Sequence, residues 1–161
     1  MTTDTPNASA QVEAHLASYL STALTSEGGI YAIPVHEGQF SGEYTLPLVV
    51  VAVTAANEVN TDPTSQWWKL TATTSVMTSI FVDVANSDTD DALDEDAATK
   101  HSDRAGFVNG LLTDYTPMTV IEDAPAVIYG WIPVSVNETQ NDKMFLCQIT
   151  FEAHCTAYYP D

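Results

Sequence analysis

Positive charge is nearly missing from this sequence. Its 161 residues include only Lys69, Lys100, Lys143 and Arg104 as cations, against 22 Asp and Glu, a formal net charge of −18. A protein that grips duplex nucleic acid needs a basic stripe to displace counterions from phosphates. Four scattered cations cannot form one, and the same deficit argues against an anionic membrane surface. Long apolar runs are absent too: no stretch approaches the roughly 18 residues of a membrane-spanning helix. Met1 to Ala10 is polar, contains Asp4 and Pro6, and lacks the basic and apolar regions of a secretory leader, so cytoplasmic synthesis is expected. Asn137-Glu138-Thr139 matches a glycosylation sequon, which has no use without secretion. Cysteine is scarce. Cys147 and Cys155 sit eight residues apart on one expected strand, which separates their Cα atoms by roughly 27 Å. A disulfide requires less than about 7 Å. Both are expected to be small buried hydrophobes.

The motifs of common chemistries are also missing. There is no phosphate-cradling loop, no dinucleotide glycine pattern and no Gly-x-Ser-x-Gly elbow. His15, His36, His101 and His154 are scattered, and none belongs to a zinc-binding His-Glu-x-x-His helix. The acidic stretch from Asp88 to Asp96 has Ala92, Leu93 and Thr99 where a calcium loop needs an oxygen ligand, a glycine and a glutamate. It is expected to be a solvated helix start whose carboxylates favour the positive end of the helix dipole. No metal site is expected from these patterns.

What the sequence does contain is a clear succession of patterned segments. Residues 1–9 read as a loose arm, and residues 10–161 as one domain. Val12, Leu16, Tyr19, Leu20 and Ala23 make a helical stripe over 10–24, closed by Gly28-Gly29. A short strand over 30–35 precedes a polar loop, 36–45. The run Leu48 to Val53 predicts a strand over 46–55, followed by a loop over 57–66. Residues 67–84 alternate, with Ala72 and Val76 on one parity and Thr71, Thr73 and Ser75 on the other. That length predicts a bend or bulge within the strand. A second helix is expected over 89–112, its stripe formed by Ala97, His101, Arg104, Ala105, Val108, Leu111 and Leu112. Gly106 and Gly110 either weaken this helix, by roughly 1 kcal/mol each against Ala if exposed, or allow close approach to a sheet. His101 reads as a core-edge histidine. Strands over 126–136 and 143–158 are joined by a hairpin loop, 137–142. The first of these is apolar on both faces, with Ile128, Ile132, Val134 and Val136 on one and Tyr129 and Trp131 on the other, which predicts cover from two sides. The order α, β, β, β, α, β, β predicts an α+β fold: an antiparallel-rich sheet or sandwich packed with two helices.

This succession resembles a known family. The leading amphipathic helix, the stretch Leu46-Pro47-Leu48-Val49-Val50-Val51-Ala52-Val53, the Trp-led long strand, the helix after an acidic break and the closing hairpin that ends Phe145 to Cys155 are similar to tail-terminator and tail-completion (neck) proteins of long-tailed bacteriophages. The resemblance spans about residues 10–157. It rests on element order and apolar pattern, with no catalytic signature. It implies a structural virion protein, made in the host cytoplasm, that forms a ring of six copies, with no cofactor and no catalysed reaction. Such a ring caps the tail tube, meets the major tail-tube protein and the head-connector protein, and lets DNA pass as non-specific cargo. The alternatives are another head-completion neck protein, or a small ligand-binding domain or enzyme.

On this reading the loops carry the contacts, because they hold few apolar anchors. Glu37, Glu43, Glu58 and Asp62 are the expected assembly residues, with Trp67 and Trp68 at the head of the long strand. If sheets line the channel, as in the family, then Asp83 and Glu152 are candidate channel charges, and the acidic group Asp88 to Asp96 faces outward.

Overall fold

The computed structural model describes residues 8–38, 45–58, 65–82, 93–116 and 126–158. These form helix α1 (Ala8–Glu27), a 3-10 turn (Gly29–Tyr31), β1 (Val35–Glu37), β2 (Leu48–Glu58), β3 (Ser65–Ser79), α2 (Ala97–Asp114), β4 (Ala126–Gln140) and β5 (Met144–Tyr158). The fold is α+β. The five strands make one sheet in the order β1-β2-β3-β5-β4 rather than a two-sheet sandwich. Only β1 is parallel to its neighbour; every other pair is antiparallel.

Both helices lie on the same face of the sheet. Val12, Leu16, Leu20 and Leu24 of α1 are fully buried and share one core with Val49, Val51 and Val53 of β2. On α2, Ala97, His101, Arg104, Ala105, Val108 and Leu112 are buried, the stripe expected from the sequence. They close over Leu70, Ala72 and Val76 of β3 and Cys147, Ile149, Phe151 and Ala153 of β5. Each Leu, Ile, Val or Phe taken out of water there contributes roughly 1.5–3 kcal/mol. Gly28, at φ 73°, stops α1: its N–H bonds the Leu24 carbonyl, the glycine-terminated end the sequence predicts.

Several local expectations are corrected. The strand expected over 30–35 is a 3-10 turn followed by β1 at 35–37. Gly28 and Gly29, both at positive φ, turn the chain first, and Pro34 then accepts from Val49 and joins the chain to β2. The long strand β3 carries no bulge, for its registers with β2 and β5 are unbroken. The irregularities lie in β4, between Tyr129 and Ile132 and between Pro133 and Ser135. Gly130, at φ 78°, supplies the first, and Pro133, which has no N–H, adjoins the second. They shift the parity of β4, so Trp131 reaches the core while Ile132, Val134 and Val136 stay about half exposed.

Helix α2 begins at Ala97, not near residue 89. Leu93 instead bridges Phe81, and the Asp94 side chain accepts the Asp96 N–H, a local bond that competes with helix. Asp94, Glu95 and Asp96 therefore precede the helix, and residues 88–92 lie outside the described residues. The expected hairpin loop over 137–142 is shorter, because Asn141 Oδ1 accepts both the Lys143 and Met144 N–H groups and tightens the turn. Gly106 and Gly110 face solvent; a Cβ at either would meet nothing within 4 Å, so neither serves close packing.

Candidate assembly surface

Among the described residues no helix covers the other face of the sheet, and strand register writes it out row by row. At one end Leu48, Met77 and Leu146 stand abreast. Next come Val50, Ser75, Gln148 and Asn137, then Ala52, Thr73, Thr150 and Ser135, then Thr54, Thr71, Glu152 and Ile132. Alternation explains the composition: each of these residues neighbours one that points under a helix. The face is slightly hollowed into a trough of about 430 Å³, lined by Val50, Ala52, Thr54, Thr73, Ser75, Met77, Leu146 and Gln148. Leu48, Val50 and Met77 form a small separate apolar cluster at its apolar end.

Charge is sparse on this face. Glu152 lies there diagonal to Lys69, and the two approach to 3.7 Å. Both are partly exposed, so the pair contributes little stability. Among the described residues the other acids lie on the helices, at strand ends, on β4 or in turns. Glu27, Asp103 and Asp114 sit on helices, Asp94 to Asp96 before α2, and Asp142 in the β4–β5 turn. Lys100 holds Asp94 at 2.8 Å, and with the Asp96 N–H it draws the Asp94 carboxyl below its usual range.

The two edges of the sheet differ. Along β2, β1 pairs at Val49 to Val51, the Gly38 N–H bonds the Val51 carbonyl, and Glu13 of α1 accepts the Val53 N–H at 2.9 Å. A carboxylate thus continues where β1 stops. Along β4, no described strand pairs with the outer side. Ile132, Val134 and Val136 on it are 53%, 50% and 54% exposed. Among the described side chains of β4, Trp131 is covered, on the helix side. Its indole stacks on Phe151, meets Tyr115 edge-on and donates to the Leu112 carbonyl at the end of α2.

Polar groups under the helices are tied into the fold. Arg104 donates to the Ile30 carbonyl and to Thr78 Oγ1, and His101 Nδ1 lies 3.0 Å from the same hydroxyl. His101 stacks on Phe145, and its Nε2 is buried with no partner. Burial holds its pKa below the ordinary 6.5. His15 bonds the Tyr115 hydroxyl, whose pKa burial raises above its ordinary range. The Cys147 thiol, buried as expected, is pushed up to about 11 by burial and by Glu138, which keeps it protonated. The side chain of Cys155 lies outside the described residues. Among the described residues, no group of three or more His, Cys, Asp or Glu gathers to hold a metal, and no helix is long and apolar enough to cross a membrane.

The expected contact residues do not converge on one site. Glu37 ends β1, beside Val51, and is exposed. Glu58 pairs with Trp67 and Asn57 with Trp68 at the far end of β2, so register brings Glu58, Trp67 and Trp68 together there. Nothing is described of those four side chains. Glu43, Asp62 and Asp83 lie outside the described residues. Sequence reading missed Glu13, whose bond to Val53 spans 40 residues and leaves no local signal. It also missed the open edge of β4, although Gly130 and Pro133 already mark irregular strand. No protein-family model matches the chain, and no curated protein matches it.

Proposed function

We propose that the protein is a structural assembly subunit of the phage tail-terminator kind. Copies form a ring, most simply of six, that caps a tail tube, meets the tube protein below and the head connector above, and lets DNA pass. The observation that carries this reading is the one-sided sheet. Both helices cover one face, and the other is left as a broad, nearly uncharged surface in a chain of net charge −18. An enzyme of this size would hold convergent polar groups in a pocket; this face offers hydroxyls and amides in regular rows.

In such a ring the open face lines the channel and the acidic helices and strand ends lie outside. Glu152 then contributes little lumen charge, because Lys69 stands beside it. DNA would slide past hydroxyls and amides that lack the cations needed for counterion release. Head-to-tail contacts between identical chains close into a ring when their rotation permits.

Electron-microscopic class averages of tails bearing the protein at their end test the reading. Cyclic symmetry at that end is the expected result. An asymmetric single copy, or a protein that stays monomeric and never joins tubes, overturns it.

A further inference from the structure

Among the described residues, no strand pairs with the outer edge of β4. We propose that Ser135–Gln140 pairs with an extended, basic segment of a different protein, added to the sheet as a sixth strand. The inference goes beyond the ring reading and does not depend on it.

The argument starts from the contrast between edges. Sheet edges with unpaired N–H and C=O groups template further strands, and proteins blunt them with lysine, proline, bulges or cover. On β2 the cover is present through β1, Gly38 and Glu13. On β4 the bulges and Pro133 blunt only the first half. From Ser135 to Gln140 the register with β5 is regular, and this stretch contains neither lysine nor proline. Val136, 54% exposed, stands there on the helix side of the sheet, level with Ile149 of β5. A partner strand would cover that surface while satisfying the backbone.

Charge selects the partner. Val136 and Glu138 lie two residues apart on one side of the strand, and Asp142 follows in the turn. No described cation makes an ion pair with Glu138 or Asp142. The chain has few cations to offer: Lys69 is with Glu152, Lys100 with Asp94, Arg104 is buried against Ile30 and Thr78, and Lys143 lies exposed in the turn beside Asp142. A second copy would bring one exposed lysine outside these pairs, Lys143, together with another 22 acids. Like charges facing across strands destabilise the pair. The fitting occupant therefore alternates an apolar residue with lysine or arginine on one side, and carries threonine, serine or asparagine on the other, opposite Asn137 and Thr139.

The test uses the full chain and a synthetic peptide of about ten residues, threonine alternating with valine and lysine. Hydrogen exchange should show the Ser135–Gln140 amides slowed by the peptide, with no slowing along β2. Glu138→Gln should weaken binding about threefold at low salt, the scale of one cross-strand charge pair. The same peptide with glutamate for lysine should not bind. Equal binding of the acidic peptide, or protection elsewhere, overturns the proposal. So does sedimentation showing that copies pair through this edge and that Val136→Lys separates them; that result would leave the ring standing. A tail end without cyclic symmetry, with peptide binding intact, would remove the ring reading alone.

Discussion

On β2, Val49, Val51 and Val53 point under α1, while Val50, Ala52 and Thr54 point away from both helices. On β3 the partition is similar, except that Thr74 is buried on the helix side and Met77 on the other. Leu70, Ala72 and Val76 are buried beneath the helices, and Thr71, Thr73 and Ser75 line the opposite face. The helix side is chosen for volume, since cores tolerate little void. The other side is chosen to stand in water without becoming a large apolar patch. Stability therefore fixes one face, and the second is free to answer to whatever it meets.

The contrast breaks most readily in the core. Leu20→Ala, at a site with no exposure, should destabilise by about 3 kcal/mol, the usual scale for a buried leucine. Leu146→Ala, at the apolar end of the open face, should cost less than half as much in the same urea titration. Equal losses would mean that the open face is packed in the isolated protein too.

A smaller effect sharpens the picture of the helix layer. Gly110 of α2 is exposed, with open space where a Cβ would go. Gly110→Ala should therefore stabilise by about 1 kcal/mol, read as a higher urea midpoint with an unchanged slope. A loss instead would show that α2 needs that gap for a contact.

The smallest effect is the pH response of the buried polar cluster. Burial lowers the His101 pKa, and Arg104 lowers it further while Glu138 opposes. Below the ordinary value of 6.5 the unfolded chain takes up this proton before the folded one does. Stability from this group is thus full above that pH and falls as the solution is acidified through it. His101→Gln should flatten the stability profile between about pH 7 and 5. The other groups near His101 are Arg104, Glu138, Asp94 and Lys100, so the two profiles should be compared by difference.

Most of the fold was legible because period and parity are local. The stripes of α1 and α2 and the alternation of β3 and β5 follow from residues a few positions apart. The corrections arose where local signals compete or contacts are distant. Acidic residues before Ala97 suit a helix start, yet the Leu93–Phe81 bridge and the Asp94 turn hold them outside it. The bulges went to β4 because its glycine and proline outweigh mere length as a cause of irregularity. The parallel pairing of β1, and the Glu13 carboxylate that extends it, depend on which strands meet, which no short window of sequence reports. The candidate surface was less legible still: strand parity supplies its residues, but only sheet order shows which face and which edge remain open.

That sheet order also sets a timetable. β5 is the last of the five strands to leave the ribosome, yet it belongs between β3 and β4. Synthesis at about 5–20 residues per second puts roughly 3–13 s between the end of β3 and the arrival of β5. Throughout that interval β3 has a neighbour on one side only, and the Leu70, Ala72 and Val76 surface lacks β5 alongside it and, at first, α2 above it. The nascent chain thus carries an apolar sheet edge before its final partner exists.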